Sequence, residues 1–414
     1  MPHGDQHDAV LALRAKMEIL HHGVVPTELA MTRYGPPYLV KRRAYGNADD
    51  PAFLGRPLPQ EAFLGEARLV TSLNVRSGSP WSLDWGPEGG FFLARSNVGW
   101  AVPVDFPRQP AFYDYPMPGG GTVKNVVTLY GGGSLGVFAY GSCALVDMGK
   151  ACHYCSIEPN RGRGGDGFAR VISETRLREA LSLALADRDA PVRQVMINGG
   201  NFPDPDRSFT HYARLAAAAR EVIDASGRPV ELHLIVYPPA NPGLYAQLSG
   251  LDVGVALNIE VFAPDVFARV CPGKADVSGQ DHILASLREA AKILGPGHVF
   301  SILVGGLEPQ ASMARGMRAL AGQGVTPIVN VFHADPGTPL HSHPEPTIGR
   351  ITEMGTLQEA LFGEFPFMRP FYLRCGRNSI DTEAYLGLFS ALAQAPAHPG
   401  PGPGTLGAAG TAPA

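Results

Sequence analysis

Cys143-Ala-Leu-Val-Asp-Met-Gly-Lys-Ala-Cys152-His-Tyr-Cys155 holds three of the chain's five cysteines, spaced C-x8-C-x2-C. Just before it, Leu135-Gly-Val-Phe-Ala-Tyr140 is a short apolar run that reads as a buried strand. The cysteines therefore sit on a loop leaving the C-terminal end of a strand. Three neighbouring thiolates suit a soft metal centre, either iron–sulfur or zinc. Structural zinc wants four protein ligands, commonly two C-x2-C pairs. This loop offers one such pair, with His153 as a fourth donor. A [4Fe–4S] cluster on three cysteines keeps one iron free of protein thiolate, which leaves a place for a cofactor or substrate. A group of inert thiols is the remaining reading.

Composition sets the bounds around this loop. At 414 residues, the chain is long enough for one large α/β domain and a smaller one. Its 45% hydrophobic content is ordinary for a folded protein. The net charge is −4 with no basic run, which argues against nucleic acid as the main partner, since phosphate binding needs a positive footprint. No run reaches the roughly 18 apolar residues of a membrane span. Met1-Pro-His-Gly-Asp-Gln-His-Asp8 lacks the basic start of a secretory signal. The expectation is a cytoplasmic protein with reduced thiols and no membrane partner. An odd cysteine count, three of them clustered, fits metal binding better than a disulfide framework.

Downstream, apolar strands and helical patterns alternate. Strands are expected near 135–141, 192–198, 230–236, 252–260, 298–304 and 325–332. Helices are expected at Glu174–Leu185, Phe209–Ala225, Asp281–Leu294 and near Gln310–Ala321. Gly227 and Gly295 stand where helix-ending glycines belong. Repeated βα units imply a parallel sheet, here an α/β fold built on a partial (β/α)6 barrel of TIM type. Such barrels keep their chemistry on loops at the C-terminal strand ends, and the cysteine loop follows the first strand.

Other strand ends carry polar or glycine motifs. Val195-Met-Ile-Asn198 runs into Gly199-Gly200-Asn201. Paired glycines admit a close ligand, although they also make ordinary turns. In Leu257-Asn-Ile-Glu260-Val-Phe262 the alternation puts Asn258 and Glu260 on one face. Polar side chains on an inner wall call for a polar ligand or, for Glu260, a buried ion pair with Arg269 or Lys274. Further on come Ser301-Ile-Leu-Val-Gly305-Gly-Leu-Glu308 and Ile328-Val-Asn-Val-Phe332-His-Ala-Asp-Pro-Gly337-Thr-Pro339.

With Tyr154 just before the last cysteine, these motifs resemble, in order, those of the radical S-adenosylmethionine superfamily, in its biotin-synthase-like branch. The resemblance covers about residues 125–340. It departs from the family in its first cysteine gap, which is usually C-x3-C, and at Asn201, where the family has an acidic residue. The resemblance implies a [4Fe–4S] cluster on Cys143, Cys152 and Cys155. It implies S-adenosylmethionine at the open iron, reductively cleaved to a 5′-deoxyadenosyl radical that abstracts hydrogen from a small-molecule substrate. It assigns cofactor contacts to Tyr154, Gly199, Gly200, Asn258, Glu260, Arg269, Ser301 and Gly305. It calls for an external one-electron reductant such as flavodoxin or ferredoxin. Cys271 and Cys375 are candidate hydrogen donors, or small buried hydrophobes. The competing class is a non-catalytic protein with a structural iron–sulfur or zinc centre.

The flanks carry no such motif. Val10, Leu13, Met17 and Leu20 mark an amphipathic helix over 8–22, and β-rich runs fill about 66–104. The expected division is a small N-terminal α+β domain at 1–125, the barrel at 126–340, a C-terminal extension capping it at 341–390, and a disordered Ala/Pro/Gly tail at 391–414. Arg76, Trp81, Asp84 and Trp85 are either a substrate wall or a β-layer core. With the barrel motifs committed to cofactors, substrate selectivity is expected in the flanks, from Arg76, Trp85, Arg374 and Arg377.

Overall fold

A computed structural model of the chain describes residues 3–39, 59–96, 98–159 and 171–395. The expected tail lies outside the described residues from 396 onward, while Leu388–Gln394 forms a helix.

A seven-stranded sheet dominates. Its strands are β7 (Val127–Tyr130), β8 (Ser134–Tyr140), β9 (Gln194–Gly199), β10 (Glu231–Ile235), β11 (Val253–Ala256), β12 (Val299–Gly305) and β13 (Thr326–Val331). They lie side by side in chain order, with β7 and β13 at the edges. From β8 to β13 every pairing is parallel, and β7 adds an antiparallel hairpin at the first edge. This is the curled sheet of a partial TIM-type barrel. Apolar side chains such as Val195, Ile197, Val253 and Val255 are buried, as strands covered on both faces require. Helices Glu174–Ala186, Pro205–Ser226, Gly279–Leu294 and Gln310–Ala321 fill the connections. Ser173 and Asp204 cap the first two, and Gly227 ends the second at φ 63°.

The regular part of β11 stops four residues short of Glu260. Ala256 is opposite Phe300, but Glu260 is opposite Leu303, so this strand carries one extra residue. Within the bulge, the Asn258 side chain accepts the Ile302 N–H at 3.2 Å, as a backbone carbonyl would. Glu260 has φ 67°, rare for a residue with a side chain.

The N-terminal region builds a six-stranded sheet from β1 (Val25–Pro26), β2 (Glu61–Leu64), β3 (Leu69–Ser72), β4 (Trp81–Trp85), β5 (Phe91–Arg95) and β6 (Trp100–Asp105), in the order β1-β4-β5-β6-β2-β3. Helix His3–His22 is buried on more than the expected stripe: Ala9, Ala12, Ala15, Lys16 and Ile19 are also covered. The reason is that it packs against β3 on one side and the C-terminal helices Ile348–Glu364 and Leu388–Gln394 on the other.

After helix Ile348–Glu364, the chain enters the barrel. Phe371 packs among Met196, Ala256, Phe300, Ile302 and Ile328, and so fills its interior. Beneath it Gln194 Nε2 donates to the Phe371 carbonyl at 2.6 Å and lies 3.1 Å from His233 Nδ1. The following strap, residues 372–380, runs along the open edge of β13. The Val331 N–H donates to the Asn378 carbonyl at 2.8 Å, and the Ile380 N–H to the Val329 carbonyl at 3.3 Å. At the other edge the strap meets the β7–β8 turn, where a Cβ on Gly131 would lie 2.2 Å from the Cys375 carbonyl oxygen. The strap thus closes the gap between the two sheet edges. Asp381 shapes it, accepting from Phe371 N at 2.7 Å and Tyr372 N at 3.0 Å. Lys16, from the first helix, pins it through Gly376 O at 3.1 Å, Ser379 O at 2.7 Å and Glu383 Oε1 at 2.6 Å. No helix among the described residues is long and apolar enough to cross a membrane.

Candidate functional site

A cavity of about 400 Å³ opens at the C-terminal ends of the strands. Cys143, Cys152, Tyr154 and Cys155 line it, together with Gly199, Gly200, Asn258 and Glu260. The long first cysteine gap has a simple cause. Cys143 caps a helical turn, Ala144–Asp147, and Gly149 turns the chain back at φ 70°. Lys150 then reaches the helix Pro272–Val277, where the Gly273 N–H donates to its carbonyl at 3.1 Å. The His153 N–H donates to Val270 O at 2.8 Å. The detour brings all three thiols back to one cavity wall. His153 is not among the residues lining that cavity.

Gly199 and Gly200 are more than a turn. A Cβ on Gly200 would lie 1.7 Å from Ser142 O and 2.7 Å from Cys143 Cβ. Only glycine lets β9 lie this close to the cysteine loop. The Ala144 N–H donates to Asn201 O at 2.8 Å and fixes the same approach.

Glu260 and Lys274 form a buried pair at 2.6 Å on the cavity wall. Burial opposes the charge on Lys274, but Glu260 and the nearby Cys152 and Cys271 outweigh it and raise its pKa. Lys274 also donates to Asn258 O at 3.0 Å. The ion-pair reading of Glu260 therefore holds, with Lys274 as the partner. Arg269 is a correction: it lies on the exposed side of helix Pro264–Val270, away from the cavity. Ser301 and Gly305 are also corrections. Ser301 accepts the Ile259 N–H at 3.0 Å, and Gly305 abuts Met354 of helix Ile348–Glu364. Strand alternation turns both outward, while Ile302 and Val304 face the cavity.

Of the two candidate hydrogen donors, Cys375 lines the cavity from the strap, and burial pushes its thiol up to about 12. Cys271 is fully buried, lies 3.9 Å from the Tyr154 hydroxyl and does not line the cavity. Among the flank residues, Arg377 lines the cavity. Arg374 is exposed. Arg76 is paired with Glu345, Asp84 accepts from Thr27 at 2.7 Å, and Trp85 packs edge-on against Phe91. Trp81 is a core residue.

Asn198, Asn330, His333 and Asp335 also line the cavity, and none was singled out from the sequence. His333 Nδ1 and Asp335 Oδ1 are 2.9 Å apart. Asn198 Oδ1 and Asn330 Oδ1 are buried acceptors without a hydrogen-bond partner among the described residues. Both follow the rule that picked out Asn258: a polar side chain at an inward position of an apolar strand.

Among the described residues, no group of three or more His, Cys, Asp or Glu could hold a metal ion at one point. The thiols instead stand around a cavity. An iron–sulfur cluster is an extended body whose irons each take a separate thiolate. The donor set suits such a group, and the unsatisfied Asn carbonyls suit a polar cofactor beside it.

No family model matches the chain. It is 27% identical over 262 residues to a bacteriochlorophyllide c C-7(1)-hydroxylase of Chlorobaculum limnaeum, a match that covers 57% of this chain. The chain spans 64% of that relative's length. Similar solved structures include methylornithine synthase, at TM-score 0.41 and 13% identity over 65% of this chain and 83% of that one. A radical SAM methyltransferase from Sphaerobacter thermophilus is another, at TM-score 0.42 and 13% identity over 74% and 76% of the two chains.

Proposed function

We propose that this chain is a radical S-adenosylmethionine enzyme acting on a small molecule. The observation that carries the reading is that Cys143, Cys152 and Cys155 line one cavity together with Gly199, Gly200 and the Glu260–Lys274 pair. The match to a hydroxylase supports an enzyme over a purely structural metal protein. When bound, a [4Fe–4S] cluster and S-adenosylmethionine supply one-electron cleavage of the sulfonium and a 5′-deoxyadenosyl radical that takes a substrate hydrogen.

The protein's own part is to hold and to exclude. Cys143, Cys152 and Cys155 are the cluster ligands in this reading. Glu260 and Lys274 present opposite charges side by side, which suits the amino and carboxylate groups of S-adenosylmethionine. Lys274 takes the carboxylate-binding role that the family resemblance implied for Arg269. Asn198 and Asn258 offer hydrogen-bonding groups along the same wall. The strap and the buried Phe371 keep water from the open side of the barrel. Cofactor work thus falls to the barrel, and substrate contacts to the strap. The electron comes from an external carrier such as flavodoxin or ferredoxin, in a cytoplasmic setting.

Anaerobic reconstitution with iron and sulfide, followed by an absorption spectrum and an assay for 5′-deoxyadenosine, tests the reading. A brown protein that releases 5′-deoxyadenosine under reducing conditions is expected. A colourless protein that retains zinc overturns it.

A further inference from the structure

Building on that reading, we infer that the strap end of the cavity is a substrate pocket for a carboxylate-bearing molecule with a hydroxyl or amino donor, and that Arg377 takes its carboxylate. The two ends of the cavity are built differently. At the cysteine end the charges of Glu260 and Lys274 meet at contact distance, 2.6 Å. At the strap end, Arg377 lines the wall with its side chain 14% exposed. Its guanidinium carbon lies over the Tyr130 ring, 4.7 Å from the centroid. Glu61 Oε2 stands 3.7 Å from Arg377 Nε, and Glu61 Oε1 accepts the Gly131 N–H at 2.9 Å. Glu61 thus offsets the charge from the N-terminal sheet while holding the β7–β8 turn.

A planar guanidinium on a cavity wall matches the two oxygens of a carboxylate. A second, independent observation points to an occupant. Asn330 Nδ2 donates to the Tyr372 hydroxyl at 2.9 Å, yet its Oδ1 is buried without a partner among the described residues. A buried acceptor left alone is costly, so an N–H or O–H from the occupant belongs there. Cys375, on the same strap, also lines the cavity. The pocket therefore lies against a thiol as well as a cation.

The carboxylate could come from the substrate or from S-adenosylmethionine itself, so the test separates them. Protein reconstituted with cluster and saturated with S-adenosylmethionine is titrated with 2-hydroxyhexanoate and with 2-hydroxyhexanamide by calorimetry. The acid is expected to bind roughly tenfold or more tightly than the amide, the difference a charged hydrogen bond makes. Arg377→Gln removes that difference, Arg377→Lys keeps part of it, and Arg318→Gln, at an exposed position outside the cavity, leaves it intact. If Arg377→Gln does not fold, Arg377→Lys, which keeps the charge facing Glu61, carries the comparison. Equal binding of acid and amide, or no binding of either, overturns the assignment. So does an Arg377→Gln variant that loses affinity for S-adenosylmethionine and not for the probe, since the anion is then the cofactor's. Failure of the enzyme reading shows earlier and separately, as wild-type protein without cluster or cofactor binding.

Discussion

Lys16→Met tests how the cavity wall is held. The Lys16 ammonium is fully buried and donates to three acceptors within 3.1 Å, two carbonyls of the strap and Glu383. Methionine keeps much of the volume and none of the donors. Glu383, whose side chain is 3% exposed, then loses its cation. Removing one partner of a buried pair costs about 3–5 kcal/mol. The pH dependence has a definite sign. Burial, only partly offset by Lys16, already raises the Glu383 pKa above its ordinary 4.5. A raised carboxyl contributes stability below its unfolded pKa and loses it as pH climbs through the folded one. Without Lys16 that folded value rises further, so the two proteins should diverge only above the wild-type folded value, itself above 4.5, with the deficit of the variant widening as pH climbs past it and narrowing in acid. Denaturant unfolding followed by tryptophan fluorescence at several pH values measures this. Lys16→Met/Glu383→Gln should recover most of the loss at neutral pH. A single-variant cost below about 1 kcal/mol, an ordinary hydrogen bond's worth, would refute the reasoning. So would a double variant no more stable than the single one.

Gly200→Ala should lower iron retention at Cys143, because its Cβ needs space now held by Ser142 O at 1.7 Å; a steric misfit of this kind costs about 1–3 kcal/mol. Gly349→Ala, with nothing within 4 Å, is the control, and equal iron content in both variants removes the argument. Cys143→Ala, Cys152→Ala and Cys155→Ala should each degrade the cluster absorbance, whereas Cys375→Ala should leave it. A cluster that persists without Cys143 would mean that another thiol, such as the buried Cys271, takes its place.

The parallel sheet was legible because its strands are Val- and Ile-rich runs spaced by helical patterns, and the cysteine loop because its residues are close in the chain. Motif order alone could not assign faces. Gly305 falls on a glycine of a family segment and Ser301 replaces its first glycine, but strand alternation turns both outward. Arg269 and Lys274 lie within one short run, and only the helices on which they sit decide which is exposed. What anchors the strap was least legible of all. Its anchor is a lysine 363 residues away from Ser379, and no local pattern records a bond over that separation.

A ribosome delivers the parts of this cavity in a fixed order. Lys16 is made before the cysteine loop, and the cysteine loop before the strap that Lys16 grips. Until residues 372–380 are made, the gap between β13 and β7 lacks the segment that closes it. The cysteine loop is thus made before the segment that covers this side of the cavity it lines. A chain that stops before Phe371 would keep every cysteine of the loop and leave that side of the barrel permanently open.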